Sequence, residues 1–415
     1  MGTDLLVTVV GAGACDPDEV ADVAVMRVGE LEQRWSRFIS DSEVSLLNVA
    51  SGAPVEVSAD TRLLLQRATE AWRMSGGLVD CTLLPDLVLA GYDRSFELLG
   101  SEPGEPMVAR QARGVGAGSA TRFSAPTDIE VGVASVRMPS GLGVDPGGIG
   151  KGLAADLVSA EAMDDGASGV CVGIGGDLRV RGTGPSGAGW TISVDHPNLG
   201  TLALLGLSDG AVASSTTLRH TWSVAGETQH HLIDPRTRRP STTSVEFCTA
   251  IAGSGWRAET MAKATMLRGG PHPFDLVDGT GAEALVVHAD GALAATDGFD
   301  GFCIQPLREI WTEAFNSEGS RRPCATRFRH ERAALVVHRS LRWDPRLGTA
   351  VGSDAVGPCP EHPDPGSQTA TELDARPAPL PGSAGGRVHG RARRRPRGRL
   401  VRPHRVHRDP RAPDR

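Results

Sequence analysis

The segment Asp145-Pro-Gly-Gly-Ile-Gly-Lys151-Gly152 places small residues directly after an apolar strand pattern and at the start of a helical one. Small residues let backbone N–H groups approach a ligand, a helix N-terminus favours an anion, and a lysine adds a point charge. A phosphate is the guest this combination predicts. It is not a Walker A loop, whose spacing would put a glycine at Asp145 and a hydroxyl at Gly152. A glycine-rich turn with a solvated lysine is the plainer alternative. Against it stands lysine usage: Lys151 and Lys263 are the only two lysines beside 41 arginines.

Three further segments could carry chemistry. In His230-His231-Leu-Ile-Asp234-Pro-Arg-Thr237, adjacent imidazoles point to opposite faces of a strand, so one of them at most faces a given site. His231 with Asp234 could act on a hydroxyl proton, since a neutral imidazole is a suitable base near pH 7; a hydrogen-bonded histidine before a turn explains the segment equally well. In Ala258 to Thr265, Glu259 and Lys263 share one helical face at i and i+4, which by itself is an ordinary surface salt bridge. Gly173-Ile-Gly-Gly-Asp177 reads as a strand end and a tight turn open to close backbone approach.

The surrounding pattern predicts what must hold these residues. Residues 5–10 form a β-branched run, and Val20, Val23, Ala24, Val28, Leu31 and Trp35 recur at helical spacing. Ser58 opens a helix that runs to the stop at Gly76-Gly77. Residues 91–130 are a Gly/Ser/Arg-rich insertion. From 131 onward strands dominate, interrupted by helices after Lys151 and around 256–267. Strands and helices mix without strict βαβ alternation, so an α+β or mixed-sheet domain is expected, not a doubly wound one.

Charge divides the chain. Residues 1–318 carry a net charge of −19 and residues 319–415 a net charge of +12, for −7 overall. The acidic body argues against a general nucleic-acid binder, leaving the basic tail as the one segment suited to such a partner. That tail lacks sustained apolar periodicity and is expected to be disordered; its Arg/Pro/His/Gly mixture is also what an out-of-frame reading of a GC-rich coding sequence yields. Seven scattered cysteines without a C-x-x-C pair suggest neither a zinc site nor a redox motif, and fit a reduced cytoplasmic setting. No stretch reaches eighteen uncharged apolar residues, so no membrane insertion is expected.

Taken in order, Met1-Gly2-Thr3, Ser36-Arg37-Phe38, Ser42-Glu43 with Leu47-Asn48, Gly76 to Thr82, Asp145 to Gly152 with Asp156, Gly173 to Asp177, His231 to Thr237 and Ala258 to Ala264 resemble the ApbE family of FAD:protein FMN transferases, over about residues 1–302. The resemblance implies one T-fold-like α+β domain over residues 1–305 and places 306–415 outside it, as an Arg/Pro-rich tail. It implies FAD as substrate, Mg²⁺ as cofactor, and a partner flavoprotein whose threonine hydroxyl attacks the FMN phosphorus while AMP leaves. By position, Met1, Gly77, Leu78, Val79, Asp80, Asp145 and Lys151 would bind FAD, and His231, followed by Asp234, would serve catalysis. Gly148 stands at the family's alanine, whose carbonyl ligates the metal. Glu259 stands where the family has an aspartate ligand, and Lys263 where it has a threonine. An ammonium cannot ligate a metal. Lys263 therefore either neutralises the pyrophosphate itself as part of the catalytic machinery, or pairs with a Glu259 that still reaches the metal, or marks a chain that has lost transfer. The alternatives to a transferase are a non-catalytic flavin-binding protein and a FAD pyrophosphatase giving FMN and AMP.

Overall fold

The computed structural model describes residues 4–11, 13, 15–99, 125–224, 226–305, 307, 336–344 and 349–352, all within one compact unit of residues 1–357. Its centre is a nine-stranded sheet built from β1 (Asp4–Val10), β2 (Gly169–Ile174), β3 (Asp177–Gly182), β4 (Asp209–Thr216), β5 (Val245–Ala252), β6 (Glu283–His288), β7 (Leu293–Ala295), β8 (Val336–Asp344) and β9 (Thr349–Gly352). The spatial order is β7-β6-β5-β4-β3-β2-β1-β8-β9. Every neighbouring pair is antiparallel. With six α-helices beside it among the described residues, this is the α+β class that the mixed pattern predicts.

The helices are α1 (Pro17–Trp35), α2 (Glu43–Val49), α3 (Ala59–Met74), α4 (Leu84–Leu89), α5 (Gly150–Asp164) and α6 (Gly255–Arg268). α1 buries Val20, Ala24, Val28, Leu31 and Trp35 of the stripe legible in the sequence, while Val23 is 41% exposed on its flank. α3 begins where Ser58 accepts a hydrogen bond from the Thr61 amide and ends before Gly76 and Gly77, both in the left-handed region. α1, α3 and α5 pack with β1 and β2 in one apolar cluster, and α6 packs on β4, β5 and β6 in another. The opposite face is covered by a hairpin of Trp190–His196 and Gly200–Leu207, whose residues alternate between buried and exposed. Sandwiched between these layers, β2 is buried at every position.

Two stretches inside the segment that reads as a disordered tail are strands. β8 pairs with the whole of β1 through Val336 to Arg342, and β9 folds back on β8. The local signal is short: Val336-Val337 and the alternation Leu341-Arg342-Trp343, diluted by the Arg/Pro-rich composition around them. The Arg339 guanidinium also meets Asp18 and Asp22 of α1, each at 2.8 Å. The remainder of the tail lies outside the described residues, as does most of the 91–130 insertion.

Candidate active site

A cavity of about 550 Å³ opens between the helical layer and the edges of β3, β4 and β5. Its wall includes the loop Asp145 to Lys151, the segment Leu78 to Cys81, Glu259 and Lys263 of α6, and His231. Gathering residues this far apart in sequence depends on one close helix crossing. α5 and α6 meet backbone to backbone at Gly152 and Gly255, where a Cβ on Gly152 would stand 2.3 Å from the Gly255 carbonyl oxygen. Only a pair of glycines allows this approach. Asp156, one turn along α5, then accepts the Gly255 amide at 2.7 Å and the Trp256 amide at 3.1 Å, capping α6 with a carboxylate from the neighbouring helix.

The crossing brings Lys151 and Glu259 together. The Lys151 ammonium donates to Glu259 Oε1 at 2.6 Å and to the Asp177 carboxylate, while Glu259 Oε2 accepts the Gly152 amide at 2.9 Å. Both carboxylate side chains are only 3% exposed. Burial alone would weaken the ammonium, but the two facing carboxylates outweigh it and push Lys151 above its ordinary range. Asp177 is pushed up to about 6 by burial, with Glu259 adding repulsion and Lys151 opposing it. Asp177 thus contributes a carboxylate to this cluster, where the sequence pointed only to its backbone.

Lys263 is not the surface partner of Glu259 that the i, i+4 spacing suggests. Its ammonium lies over the glycine loop, 3.3 Å from the Gly147 carbonyl oxygen, and a Cβ on Gly148 would stand 2.7 Å from Lys263 Nζ. Burial lowers its pKa, the charge of Glu259 opposes this, and the nearby Lys151 adds to it. The helix α5 that the loop opens carries no acidic residue in its first turn and no side-chain cap of its own; its Gly150 amide is taken by the Pro146 carbonyl at 2.8 Å and its Gly152 amide by Glu259 from α6.

On the other side of the loop, Asp145 accepts the Gly147 amide at 2.6 Å and pairs with Arg37. Arg37 is 2% exposed and lies against the rings of Phe38 and Tyr92, at 4.2 and 4.6 Å from their centroids. Asn48 holds the extended segment that leads into the loop, donating to the Val144 carbonyl at 3.0 Å and accepting its amide at 2.7 Å. Leu78, Val79 and Asp80 line the cavity; Asp80 accepts the Thr82 amide and hydroxyl at 2.7 and 2.6 Å, and burial raises its pKa. Gly77 shapes the turn at φ +87° without lining the cavity, and Met1 lies outside the described residues.

His231 lines the cavity and Asp234 does not. Asp234 is held by the Arg236 guanidinium at 2.8 and 2.9 Å and by its amide at 2.9 Å, and Arg236 reaches on to the Leu267 carbonyl at 3.0 Å near the end of α6. The carboxylate ties a turn to a helix end, and no contact joins it to His231 among the described residues. Burial, then the charge of Lys263, then His220, hold the His231 imidazole well below its ordinary value, so it is neutral at pH 7. Its neighbour is His220, edge to face with ring centroids 5.6 Å apart. His220 adopts φ +52°, uncommon for a residue other than glycine, and nothing in its sequence context signals that it reaches the site.

The donors present do not fit a magnesium ion. Both Glu259 oxygens are engaged, an ammonium occupies the space over Gly148, and among the described residues no cluster of three or more His, Cys, Asp or Glu side chains is placed to hold a metal.

The profile of the ApbE family matches residues 1–286. The FAD:protein FMN transferase of Vibrio cholerae is 28% identical over 244 residues, covering 58% of this chain and 70% of that protein. The FAD:protein FMN transferase of Haemophilus influenzae is 26% identical over 246 residues, with the same coverage of 58% and 70%. The fold is similar to that of the flavinyl transferase ApbE of Pseudomonas stutzeri, with a TM-score of 0.60 at 23% identity over 72% of this chain and 93% of that one. It is also similar to the ApbE protein of Thermotoga maritima, with a TM-score of 0.62 at 24% identity over 72% and 96%. With the profile spanning well over half of its length, the chain belongs to the ApbE family.

Proposed function

We propose that this chain is a FAD:protein FMN transferase, a flavin-transferring enzyme that takes FAD as substrate and an acceptor flavoprotein as partner. The observation that carries the reading is the meeting, in one cavity, of the glycine loop Asp145 to Lys151, the Lys151 and Lys263 ammonium groups and a neutral His231. The apolar part of the cavity takes the flavin and the glycine loop takes the pyrophosphate. Leu78, Val79 and Asp80 line the flavin side, and Asp145, fixed by Arg37, sets the shape of the loop.

In the reaction, the acceptor's threonine oxygen bonds to the FMN phosphorus while the bond from that phosphorus to the bridging oxygen breaks. AMP leaves carrying the bridging oxygen, and the threonine proton passes to the neutral His231 imidazole and then to solvent. Lys151 and Lys263 stabilise the charge that develops on the phosphoryl oxygens. Magnesium, which the resemblance implies, enters no step here because the donors do not fit it.

The related proteins named FAD:protein FMN transferase support the transfer step. No described helix is long and apolar enough to cross a membrane, and we place the protein in the cytoplasm on its scattered cysteines, of which the five among the described residues are free. The reading is tested by AMP release from FAD with and without a threonine-containing acceptor flavoprotein. Release that requires the acceptor supports transfer. Equal release in its absence indicates a FAD pyrophosphatase, and tight FAD binding without any release indicates a flavin-binding protein.

A further inference from the structure

Among the cations that line the cavity, Lys263 and Arg219 carry no ion pair within 4.0 Å among the described residues, and of the two it is Lys263 that lies over Gly147 and Gly148. Lys151 is held by two carboxylates and Arg37 by Asp145, so each of those cations is already paired. Lys263 has no ion pair within 4.0 Å among the described residues; its one hydrogen bond is the 3.3 Å contact to the Gly147 carbonyl. It is thus an ammonium with unused donors, aimed at the loop that opens α5. The loop makes room for it. At position 148 a Cβ would press on Lys263 Nζ from 2.7 Å, so glycine at 148 and lysine at 263 are mutually suited, whereas an alanine there would displace the ammonium. Meanwhile the carboxylate at 259 is closed to a metal by Lys151 and the Gly152 amide.

We propose that the Lys263 ammonium, seated on Gly147 and Gly148, supplies the positive charge that faces the pyrophosphate of FAD in place of a divalent metal, so that this chain binds FAD and transfers FMN without one. The proposal rests on the flavin-transfer reading above for its ligand. It does not depend on that reading for its test, because binding and metal content are measured apart from turnover. A pyrophosphate carries two negative charges over a short span. Lys263, whose ammonium has no carboxylate within 4.0 Å among the described residues, faces that charge from the glycine loop without a hard cation. A lysine is a point charge with three rotatable donors, suited to follow a phosphate whose geometry changes during transfer.

The test uses the full chain, stripped of metal on a chelating resin. FAD and riboflavin binding are measured by titration calorimetry in EDTA and again in excess Mg²⁺, and the metal content of the FAD complex is measured by elemental mass spectrometry. The expected result is a FAD affinity equal within about threefold in the two conditions, and no stoichiometric metal in the complex. Lys263→Met should weaken FAD roughly tenfold to a hundredfold in EDTA while leaving riboflavin unchanged, as expected for a lost charge-assisted contact. Gly148→Ala, which disturbs only the end of a flexible side chain, should do the same to a smaller degree, and it stands in if Lys263→Met fails to fold. The proposal is overturned if EDTA weakens FAD binding by the parent chain more than about tenfold and Mg²⁺ restores it, or if one magnesium accompanies each bound FAD. AMP release then separates the two claims: metal-independent FAD binding without acceptor-dependent release leaves Lys263 as the metal's replacement in binding, and removes both metal-free transfer and the transferase reading.

Discussion

Replacing Lys151 with methionine tests the buried charge cluster at its centre. The substitution keeps the length of the side chain and removes the one cation that faces both Asp177 and Glu259, whose side chains are each 3% exposed. Removing one partner from a buried ion pair costs about 3–5 kcal/mol, because it leaves charge desolvated and uncompensated. At about 2–4 °C per kcal/mol for a domain of this order of size, the thermal midpoint near pH 8 should fall by roughly 6–20 °C. The loss should also depend on pH with a definite sign. Asp177 already sits at about 6 with Lys151 present, and without that cation it rises further. A folded-state pKa above the unfolded value means that the native chain binds more protons than the unfolded one, so the variant regains stability as the pH falls through that pKa. Thermal denaturation of parent and variant, followed by circular dichroism at pH 8 and at pH 5.5, reads both quantities. Asp177→Asn added to Lys151→Met should recover part of the deficit, because one of the two orphaned charges is gone. A loss below about 1 kcal/mol, or one that is the same at both pH values, would refute the buried triad as described.

Further outcomes follow from the same geometry. Gly152→Ala drives a Cβ to 2.3 Å from the Gly255 carbonyl oxygen, backbone that cannot move aside, so it should cost at least about 2 kcal/mol and weaken FAD binding through the displaced Lys151; unchanged melting would show that the helices do not cross there. Lys263→Met removes a positive charge beside His231, so the imidazole should titrate at a higher pH than in the parent by histidine NMR, and an unmoved titration would remove Lys263 from that environment. Truncation after residue 318 deletes β8, which pairs with β1 over seven residues, and should lower stability by more than about 2 kcal/mol, whereas truncation after residue 357 retains both strands and should not; equal melting of the two truncations would show that β8 adds nothing to the sheet.

Much of the helical layer was legible because its apolar stripes and caps are local. Val20 to Trp35 and Ser58 to Gly77 carry their own start, face and stop. The glycine loop was legible too, since strand, small residues and lysine are contiguous in sequence. The order of the sheet was not, because which strands pair is set by long-range packing that no single window contains. β8 was hidden by the composition of its surroundings. At the site, the spacing of Glu259 and Lys263 suggested an i, i+4 pair, but the Gly152 to Gly255 crossing brings Lys151 nearer to Glu259 than Lys263 is, and the pair is exchanged across helices. His231 and Asp234 look like a catalytic pair in the sequence; Arg236, two residues on, takes the carboxylate instead. Arg37 and His220 gave no local signal of their roles, since each acts through a partner more than ten residues away.

The central claim is that FMN passes from FAD to a threonine of another protein in this cavity. It is tested most directly by incubating the metal-stripped chain with FAD and a candidate acceptor flavoprotein, then mapping the acceptor by peptide mass spectrometry. The account predicts one threonine-containing peptide heavier by FMN less one water, with AMP formed in equal amount and no adduct with the Lys151→Met variant. Free FMN and AMP with no modified peptide would contradict it.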